Sequence, residues 1–154
     1  MFISVKYLLR SVSALALIGG VLTSMSAHAE MVSVSRAEAN FRAGPGTRYQ
    51  ANWRLDKGYP LVVISRKGNW IQARDFENDR GWIYRSLTNR VPHHVVRVAT
   101  ANLRQQPTTR SRILSRLDYG EVLRTLGKKG GWVKVRAEKG GPAGWIAKNL
   151  VWGW

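Results

Sequence analysis

The chain has 154 residues, no cysteine, and 25 Lys and Arg residues against 9 Asp and Glu residues, which gives a formal net charge of +16. The lack of cysteine excludes disulfide bonds and a lipid anchor attached through a cysteine. A positive excess of this size favours association with polyanions, even where the association is nonspecific.

Residues 1–29 have the pattern of an export signal. Lys6 and Arg10 form a positive segment, residues 11–23 are mostly apolar, and a small-x-small cleavage site follows at Ala27-His28-Ala29. The apolar run is shorter than the roughly 20 residues that a spanning helix needs. We predict cleavage after Ala29 and a periplasmic or secreted product of charge +14 with no transmembrane segment. The alternative is an uncleaved N-terminal anchor.

The remaining sequence contains one pattern twice. Ala39-Asn40-Phe41-Arg42 recurs as Ala101-Asn102-Leu103-Arg104 at an offset of 62, and Gly81-Trp82-Ile83 recurs as Gly144-Trp145-Ile146 at an offset of 63. A repeat of about 60 residues indicates two copies of a small folding unit. We place copy one at residues 30–90 and copy two at residues 91–154.

Within each copy the apolar pattern predicts short strands separated by Gly-rich turns. In copy one, strands are predicted at 32–35, 61–64, 70–74 and 81–84, with a turn at 66–69 and a polar loop at 75–80. In copy two, the corresponding strands are predicted at 95–98, 122–126, 132–136 and 144–146, with a turn at 127–131. The connection at 88–94 is short and not Gly/Ser-rich, so the copies should sit side by side. The predicted fold is all-β: two tandem small β-barrels behind a cleavable signal peptide.

Three segments of copy one resemble the bacterial Src-homology-3 (SH3b-type) family. Asn40-Phe41-Arg42-Ala43-Gly44-Pro45-Gly46-Thr47 is similar to its N-V-R-x-G-P-S/G-T opening, and Gly68-Asn69-Trp70-Ile71 and Gly81-Trp82-Ile83 are similar to its later strands. The resemblance implies a half-open β-barrel used for binding, and exported members are often cell-wall targeting modules. Copy two departs from the pattern at Gln105-Gln106-Pro107-Thr108. Because glycine adopts positive φ and glutamine does so only at a cost, the copy-two turn need not share the copy-one geometry.

The aromatic residues divide into repeated and unrepeated sets. The repeated ones are Trp70/Trp132 and Trp82/Trp145, whose matching strand positions predict core residues. Among the unrepeated ones, three join two nearby arginines in a predicted binding groove for a peptide or sugar: Tyr49, Trp53, Tyr84, Arg48 and Arg54. For Trp53 the alternative is packing, either at the boundary between the copies or under the loop before Leu55. Copy two should supply nonspecific attraction through its basic residues, among them Arg124, Lys134 and Arg136.

No catalytic or metal-binding pattern emerges. Asp75-x-Glu77-x-Asp79 begins like a calcium loop but has Arg80 where that loop requires glycine, so we expect an acidic hairpin loop. His93 and His94 are adjacent and should point to opposite sides of an extended segment. The segment 152–154 is either a closing strand or an exposed aromatic tail. Neither a catalytic constellation nor a cofactor is expected.

The sequence therefore predicts an exported, non-catalytic binding protein whose partner is peptidoglycan or another anionic envelope polymer. The alternative is an adaptor or regulator of another envelope protein. Nucleic acid suits the charge, but export makes it an improbable partner.

Overall fold

The computed structural model describes residues 28–154, which form two antiparallel seven-stranded sheets. Of the predicted signal peptide, all but His28 and Ala29 lies outside the described residues. Among residues 28–154, no helix is long and apolar enough to span a membrane.

The first sheet is built from copy one and the second from copy two. The strands of copy one are β1 (Met31–Val34), β2 (Ala39–Arg42), β3 (Ala51–Leu55), β4 (Pro60–Lys67), β5 (Trp70–Arg74), β6 (Arg80–Tyr84) and β7 (Thr88–Asn89). Those of copy two are β8 (His93–Val96), β9 (Thr100–Arg104), β10 (Ile113–Asp118), β11 (Val122–Lys129), β12 (Trp132–Ala137), β13 (Gly144–Ala147) and β14 (Val151–Gly153). A 3-10 helix precedes the last strand of each copy, at Arg85–Leu87 and Lys148–Leu150.

Both sheets have the same strand order. It is β3-β2-β6-β5-β4-β1-β7 in copy one and β10-β9-β13-β12-β11-β8-β14 in copy two. The repeat seen in the sequence is therefore a repeat of topology, and the all-β prediction is confirmed.

Each copy has its own buried core, made by the alternation of side chains along its strands. The core of copy one includes Val34, Phe41, Leu61, Ile71 and Ile83. The corresponding cluster of copy two includes Val96, Leu103, Leu123, Val133 and Ile146. Successive residues of a strand point to opposite faces, so the neighbours of these core residues lie on the outer face.

The prediction that the four repeated tryptophans are core residues is wrong. Trp70, Trp82, Trp132 and Trp145 are only partly buried and belong to neither core cluster. Ile71 and Ala73 occupy the inward positions of β5, which turns Trp70 and Gln72 outward.

The predicted turns at 66–69 and 127–131 begin too early, because β4 continues to Lys67 and β11 to Lys129. Each of these strands contains a register shift, which leaves Ile64 and Leu126 as the extra residues of a β-bulge. A bulge breaks the two-residue periodicity, so the apolar alternation ends before the strand does. Ile64 and Leu126 are both exposed large apolar residues.

The predicted connection at 88–94 is too long. Thr88–Asn89 forms β7 and pairs with β1, and β8 already begins at His93. Only residues 90–92 connect the two sheets. At the other end of copy two, β14 pairs with β8, so the final aromatic segment contains a closing strand and is not an exposed tail.

The two copies pack against each other. Val62 and Val95 are buried although neither belongs to a core cluster. The indole Nε1 of Trp154 donates a hydrogen bond to Oγ of Ser33 in copy one, at 3.2 Å. The hydroxyl of Tyr119 donates to Oε1 of Glu77 in copy one, at 2.5 Å. Hydrogen bonds and apolar burial thus join copy two to copy one on several elements.

Candidate functional site

The outer face of copy one carries a pocket of about 350 Å³. Its lining residues are Asn40, Arg42, Thr47, Trp70, Tyr84 and Leu87. Trp70 lies opposite Tyr84 across β5 and β6, and the two rings meet edge to face with centroids 5.2 Å apart. Two aromatic walls with amide, guanidinium and hydroxyl groups beside them are suited to a ligand with both flat apolar and polar parts.

Arg42 holds the loop that borders this pocket. Its Nη1 atom donates hydrogen bonds to the carbonyl oxygens of Thr47, at 3.3 Å, and of Tyr49, at 2.8 Å. At the base of the loop, the amide of Ala43 donates to the carbonyl of Gln50. The guanidinium thereby satisfies backbone carbonyls and keeps Thr47 beside Trp70 and Tyr84.

The corresponding loop of copy two keeps most of these hydrogen bonds despite its different sequence. Nη1 of Arg104 donates to the carbonyl of Ser111 at 2.8 Å, as Arg42 does to Tyr49. The amide of Thr108 donates to the carbonyl of Gln106 at 2.8 Å, and the equivalent bond from Gly46 to Gly44 is 2.9 Å. The different turn that loss of glycine suggested is therefore absent.

Glycine is required at position 44 for space and not for positive φ. Neither Gly44 nor Gly46 has positive φ, but a Cβ atom on Gly44 would lie 2.5 Å from the ring of Tyr49. In copy two Ser111 replaces this tyrosine, and its hydroxyl accepts a hydrogen bond from the amide of Gln106. The change from glycine to glutamine and the change from tyrosine to serine thus compensate for each other.

The five residues predicted from the sequence do not form one groove. Tyr84 lines the pocket, and Arg54 lies opposite Asn40 on the same face of the sheet. Tyr49 and Arg48 belong to the bordering loop, where Nη2 of Arg48 donates to the hydroxyl of Tyr49 at 3.1 Å. This hydrogen bond, together with the positive charge of Arg48, lowers the pKa of the exposed Tyr49 hydroxyl.

Trp53 lies on the other face of the sheet. It is opposite Phe41 on the edge strand β3, and the two ring centroids are 6.2 Å apart. Because Phe41 points into the core, Trp53 covers the open edge of that core and leaves 43% of its surface exposed. The aromatic contact of Trp53 is therefore with its own copy.

The sequence reasoning missed most of the pocket. In the sequence, Asn40 and Arg42 stand out only as members of a repeated segment, and the recurrence of Trp70 predicts a core residue. The signal that identifies Trp70 is the alternation of β5, which groups it with the polar Gln72 and not with Ile71.

Five of the six pocket residues have the same type in copy two: Asn102, Arg104, Thr109, Trp132 and Leu150. The sixth differs, since Ala147 replaces Tyr84. Lys134 replaces Gln72, and its ammonium lies 6.0 Å from the centroid of the Trp145 ring. Arg124 and Arg136 face each other across β11 and β12. The equivalent face of copy two has lost an aromatic wall and gained positive charge.

The acidic loop of copy one is stabilised by its first carboxylate. Oδ1 of Asp75 accepts hydrogen bonds from the amides of Glu77 and Asp79, both at 2.9 Å, and Oδ2 accepts one from the hydroxyl of Tyr59 at 3.3 Å. Burial raises the pKa of Asp75, although the two amide bonds oppose the shift. Asp75, Glu77 and Asp79 bring one oxygen each within 4.8 Å of one another. Both Asp75 and Glu77 already accept hydrogen bonds within the protein, Asp75 from two backbone amides and Glu77 from the hydroxyl of Tyr119.

The adjacent histidines point to opposite sides of β8, as expected, and both are buried. Nε2 of His93 lies 2.9 Å from Oε1 of Glu138, and Nδ1 of His94 lies 2.7 Å from the hydroxyl of Thr125. Burial lowers the pKa of His94 to about 4, and the positive charge of Lys128 acts in the same direction. Both imidazoles are thus occupied by contacts within the protein.

Comparison with known proteins gives matches along both copies. Residues 35–89 match one family model of the bacterial SH3 domain, and residues 99–151 match another. The chain is 24% identical over 147 residues to the putative N-acetylmuramoyl-L-alanine amidase YrvJ of Bacillus subtilis (strain 168). That alignment covers 84% of this chain, and the chain spans only 28% of the length of that relative.

Three solved structures are similar at low scores. NlpC2 and NlpC1 of Trichomonas vaginalis have TM-scores of 0.35 and 0.34 at 12% and 13% identity, and cover 81% and 84% of this chain and 48% and 47% of their own. An NlpC/P60 family protein of Bacillus cereus ATCC 10987 has a TM-score of 0.35 at 15% identity, covering 81% of this chain and 56% of its own.

The two family matches together cover more than half of the chain, so the resemblance noted in the sequence is confirmed. The chain belongs to the bacterial SH3 domain family and contains two tandem domains of it.

Proposed function

We propose that this chain is an exported, non-catalytic protein of the cell envelope that binds peptidoglycan or another anionic envelope polymer. The observation that carries this proposal is the copy-one pocket, where Trp70 and Tyr84 stand beside Asn40, Arg42 and Thr47. Aromatic faces with polar groups at their rim suit the mixed apolar and polar surfaces of sugars and peptides.

Two further observations support an envelope polymer. The family is that of bacterial SH3 domains, and the relative YrvJ is named a putative N-acetylmuramoyl-L-alanine amidase. The net charge, +16 for the full chain and +14 after the predicted cleavage, attracts anionic polymers of any kind, and the cationic face of copy two contributes to that attraction. Copy one would then supply selectivity, and copy two would raise the local concentration of the protein at the polymer.

A non-catalytic role is supported by the contacts of the two buried histidines. His93 is held by Glu138 and by the carbonyl of Val91, and His94 is held by Thr125. Both are buried in β8 and lie outside the pocket. We therefore assign binding to this chain, and not the hydrolysis that the name of its relative describes.

The proposal is tested by sedimentation of the protein with purified sacculi. Tyr84→Ala should weaken binding about tenfold, since a well-placed aromatic contact contributes about 1–1.5 kcal/mol. Trp53→Ala is the matched control, because it removes another half-exposed ring from the opposite face. It should leave binding within about twofold, that is within roughly 0.4 kcal/mol, of the parent.

Three other outcomes are informative. An equal loss of binding in both variants would mean that the polymer also contacts Trp53 on the edge strand, as the sequence predicts. Binding at the parent level in both variants would mean that the pocket does not contribute to binding. Absence of sedimentation, with capture of one envelope protein in a pull-down, would favour the adaptor alternative.

A further inference from the structure

A second cavity, of about 540 Å³, lies between the two copies. Copy one contributes Asp56 and Lys57 to its walls, and copy two contributes Tyr119, Glu121, Glu138 and Lys139. Its volume falls within the range of about 300–1,000 Å³ that is usual for small-molecule sites, which often lie between domains. None of these residues lines the pocket of the proposed function. We call this cavity the inter-copy cleft.

The cleft is unusually acidic for this protein. The whole chain has 9 Asp and Glu residues against 25 Lys and Arg residues, yet three carboxylates, those of Asp56, Glu121 and Glu138, line this one cavity. Three of the nine acids against two lysines give this cavity a local excess of negative charge in a strongly basic protein, which favours positive groups there.

The hydrogen-bond acceptors in the cleft are not all satisfied. Oε1 of Glu121 accepts from Nζ of Lys139 at 2.7 Å, but its Oε2 atom is buried without a hydrogen-bond partner. Within residues 28–154, the Asp56 carboxylate forms no ion pair, whereas Glu138 has both His93 and Lys57 as partners. A buried acceptor without a donor is costly, and an ammonium group brings three donors.

The two lysines of the cleft can bind a carboxylate on the same ligand whose ammonium group binds the acids. Lys57 lies 3.7 Å from Glu138, and the side chains of Lys57 and Lys139 are 58% and 69% exposed. Each ammonium has three donors, so it can keep its largely buried carboxylate partner, Glu138 or Glu121, and also donate to a ligand carboxylate on its exposed side. Tyr119, half exposed at the same wall, adds an apolar ring face.

We propose that the inter-copy cleft binds a zwitterionic ligand, a free amino acid or the ends of a short peptide. Its ammonium group meets the carboxylates of Asp56 and Glu121, and its carboxylate meets the ammonium groups of Lys57 and Lys139. This site is independent of the pocket of copy one, because it is built from other residues at the boundary between the copies.

The test is an NMR titration of the isotope-labelled protein with trialanine, N-acetyl-trialanine and trialanine amide. Trialanine should shift the amide signals of Gly120 and Lys139, which line the cleft, and the shifts should saturate. Blocking either end should weaken binding at least fivefold, because each blocked form lacks one of the two charges.

Two charge-matched variants complete the test. Asp56→Asn should weaken trialanine binding at least fivefold, and Glu30→Gln, which removes an acid that pairs with Arg66 and Arg90 and does not line the cleft, should not. Absence of saturable shifts, equal binding of the blocked peptides, or equal effects of the two variants would each overturn the proposal. Asp56→Asn should leave sedimentation with sacculi unchanged, which separates failure of this site from failure of the proposed function.

Discussion

At the scale of single residues, two repeated glycines are explained by contact and not by backbone conformation. A Cβ atom at Gly81 would lie 2.8 Å from the ring of Phe41, and one at Gly144 would lie 2.7 Å from the carbonyl oxygen of Arg104. Gly144→Ala should lower the free energy of unfolding by about 1–3 kcal/mol, the usual cost of overpacking. Gly127→Ala is the control, because no atom lies within 4 Å of its Cβ position. Urea unfolding measures both, and equal midpoints would contradict the contact argument.

The buried His94 should make stability depend on pH. Its pKa is about 4 in the folded protein, below the usual value of 6.5, chiefly because of burial. Between these two values the unfolded state binds more protons, so stability should fall as pH falls from 6.5 to 4. The loss is on the order of 3 kcal/mol, given about 1.4 kcal/mol per pKa unit.

This dependence is measured by urea unfolding at several pH values between 4 and 7. Glu138, whose pKa is lowered by the His93 contact despite its burial, acts in the same direction, and Asp75 acts in the opposite one. The parent is therefore compared with His94→Gln, whose free energy of unfolding should depend less steeply on pH. Parallel curves for parent and variant would exclude His94 as the source.

Recurrence in the sequence identifies important residues but not the reason for their importance. Phe41 and Leu103 recur as core residues, whereas Arg42 and Arg104 recur because each holds a loop through its guanidinium. Trp70 also recurs, as Trp132, but its side chain lies on the outer face of the sheet. Strand alternation separates these cases, since Phe41 and Leu103 lie at inward positions of their strands and Arg42, Arg104 and Trp70 at outward ones.

At the scale of secondary-structure elements, the apolar runs of β4, β5, β11 and β12 were predictable from the sequence. The strand prediction omits β2, β3, β9 and β10, although β2 and β3 alternate apolar and polar residues, and most side chains of β3 and β10 are at least partly exposed. The two-residue β7 lies within the predicted connection at 88–94. These elements depend on pairing with a neighbouring strand, which a local pattern does not contain.

The closing strand β14 pairs with β8 and leads into Trp154, which contacts copy one, and Gly153 is packed tightly against β8. Gly153 has a φ of +152°, and a Cβ atom there would lie 2.3 Å from the carbonyl oxygen of His93. Gly153→Ala should therefore separate β14 from β8 and withdraw Trp154 from Ser33. Trp154→Phe removes only the indole donor, at a cost of about 1 kcal/mol.

The readout for these two variants is hydrogen exchange of the β8 amides together with urea unfolding. Gly153→Ala should raise the exchange rate of the Val95 amide and lower stability more than Trp154→Phe does. If Trp154→Phe is the more damaging of the two, the contact of the indole with copy one contributes more than strand pairing.

At the scale of the whole molecule, duplication has produced two related faces of different chemistry. Copy one keeps Tyr84 opposite Trp70, whereas copy two has Ala147 opposite Trp132 and places Lys134 beside Trp145. The topology is the same in both copies, and Arg42 and Arg104 hold their loops through equivalent hydrogen bonds. These differences between the two outer faces therefore leave the fold unchanged.

This arrangement predicts that salt separates the contributions of the two copies to polymer binding. Deleting copy two is a poor test, because it would expose Val62 and Ser33, which are buried in the intact protein. The double variant Lys134→Gln, Arg136→Gln removes charge from exposed positions of β12 and leaves the packing between copies in place. It should weaken binding to sacculi at 0.05 M salt and show a shallower salt dependence than the parent.

Tyr84→Ala should behave differently from the charge variant. Exposed charges are screened beyond about 10 Å at 0.1 M salt and about 3 Å at 1 M, whereas an aromatic contact is little affected by salt. The loss caused by Tyr84→Ala should therefore be the same at every salt concentration, while the double charge variant approaches the parent as salt rises. A Tyr84→Ala curve that also converges on the parent at high salt would mean that charge, and not the pocket, holds the protein to the polymer.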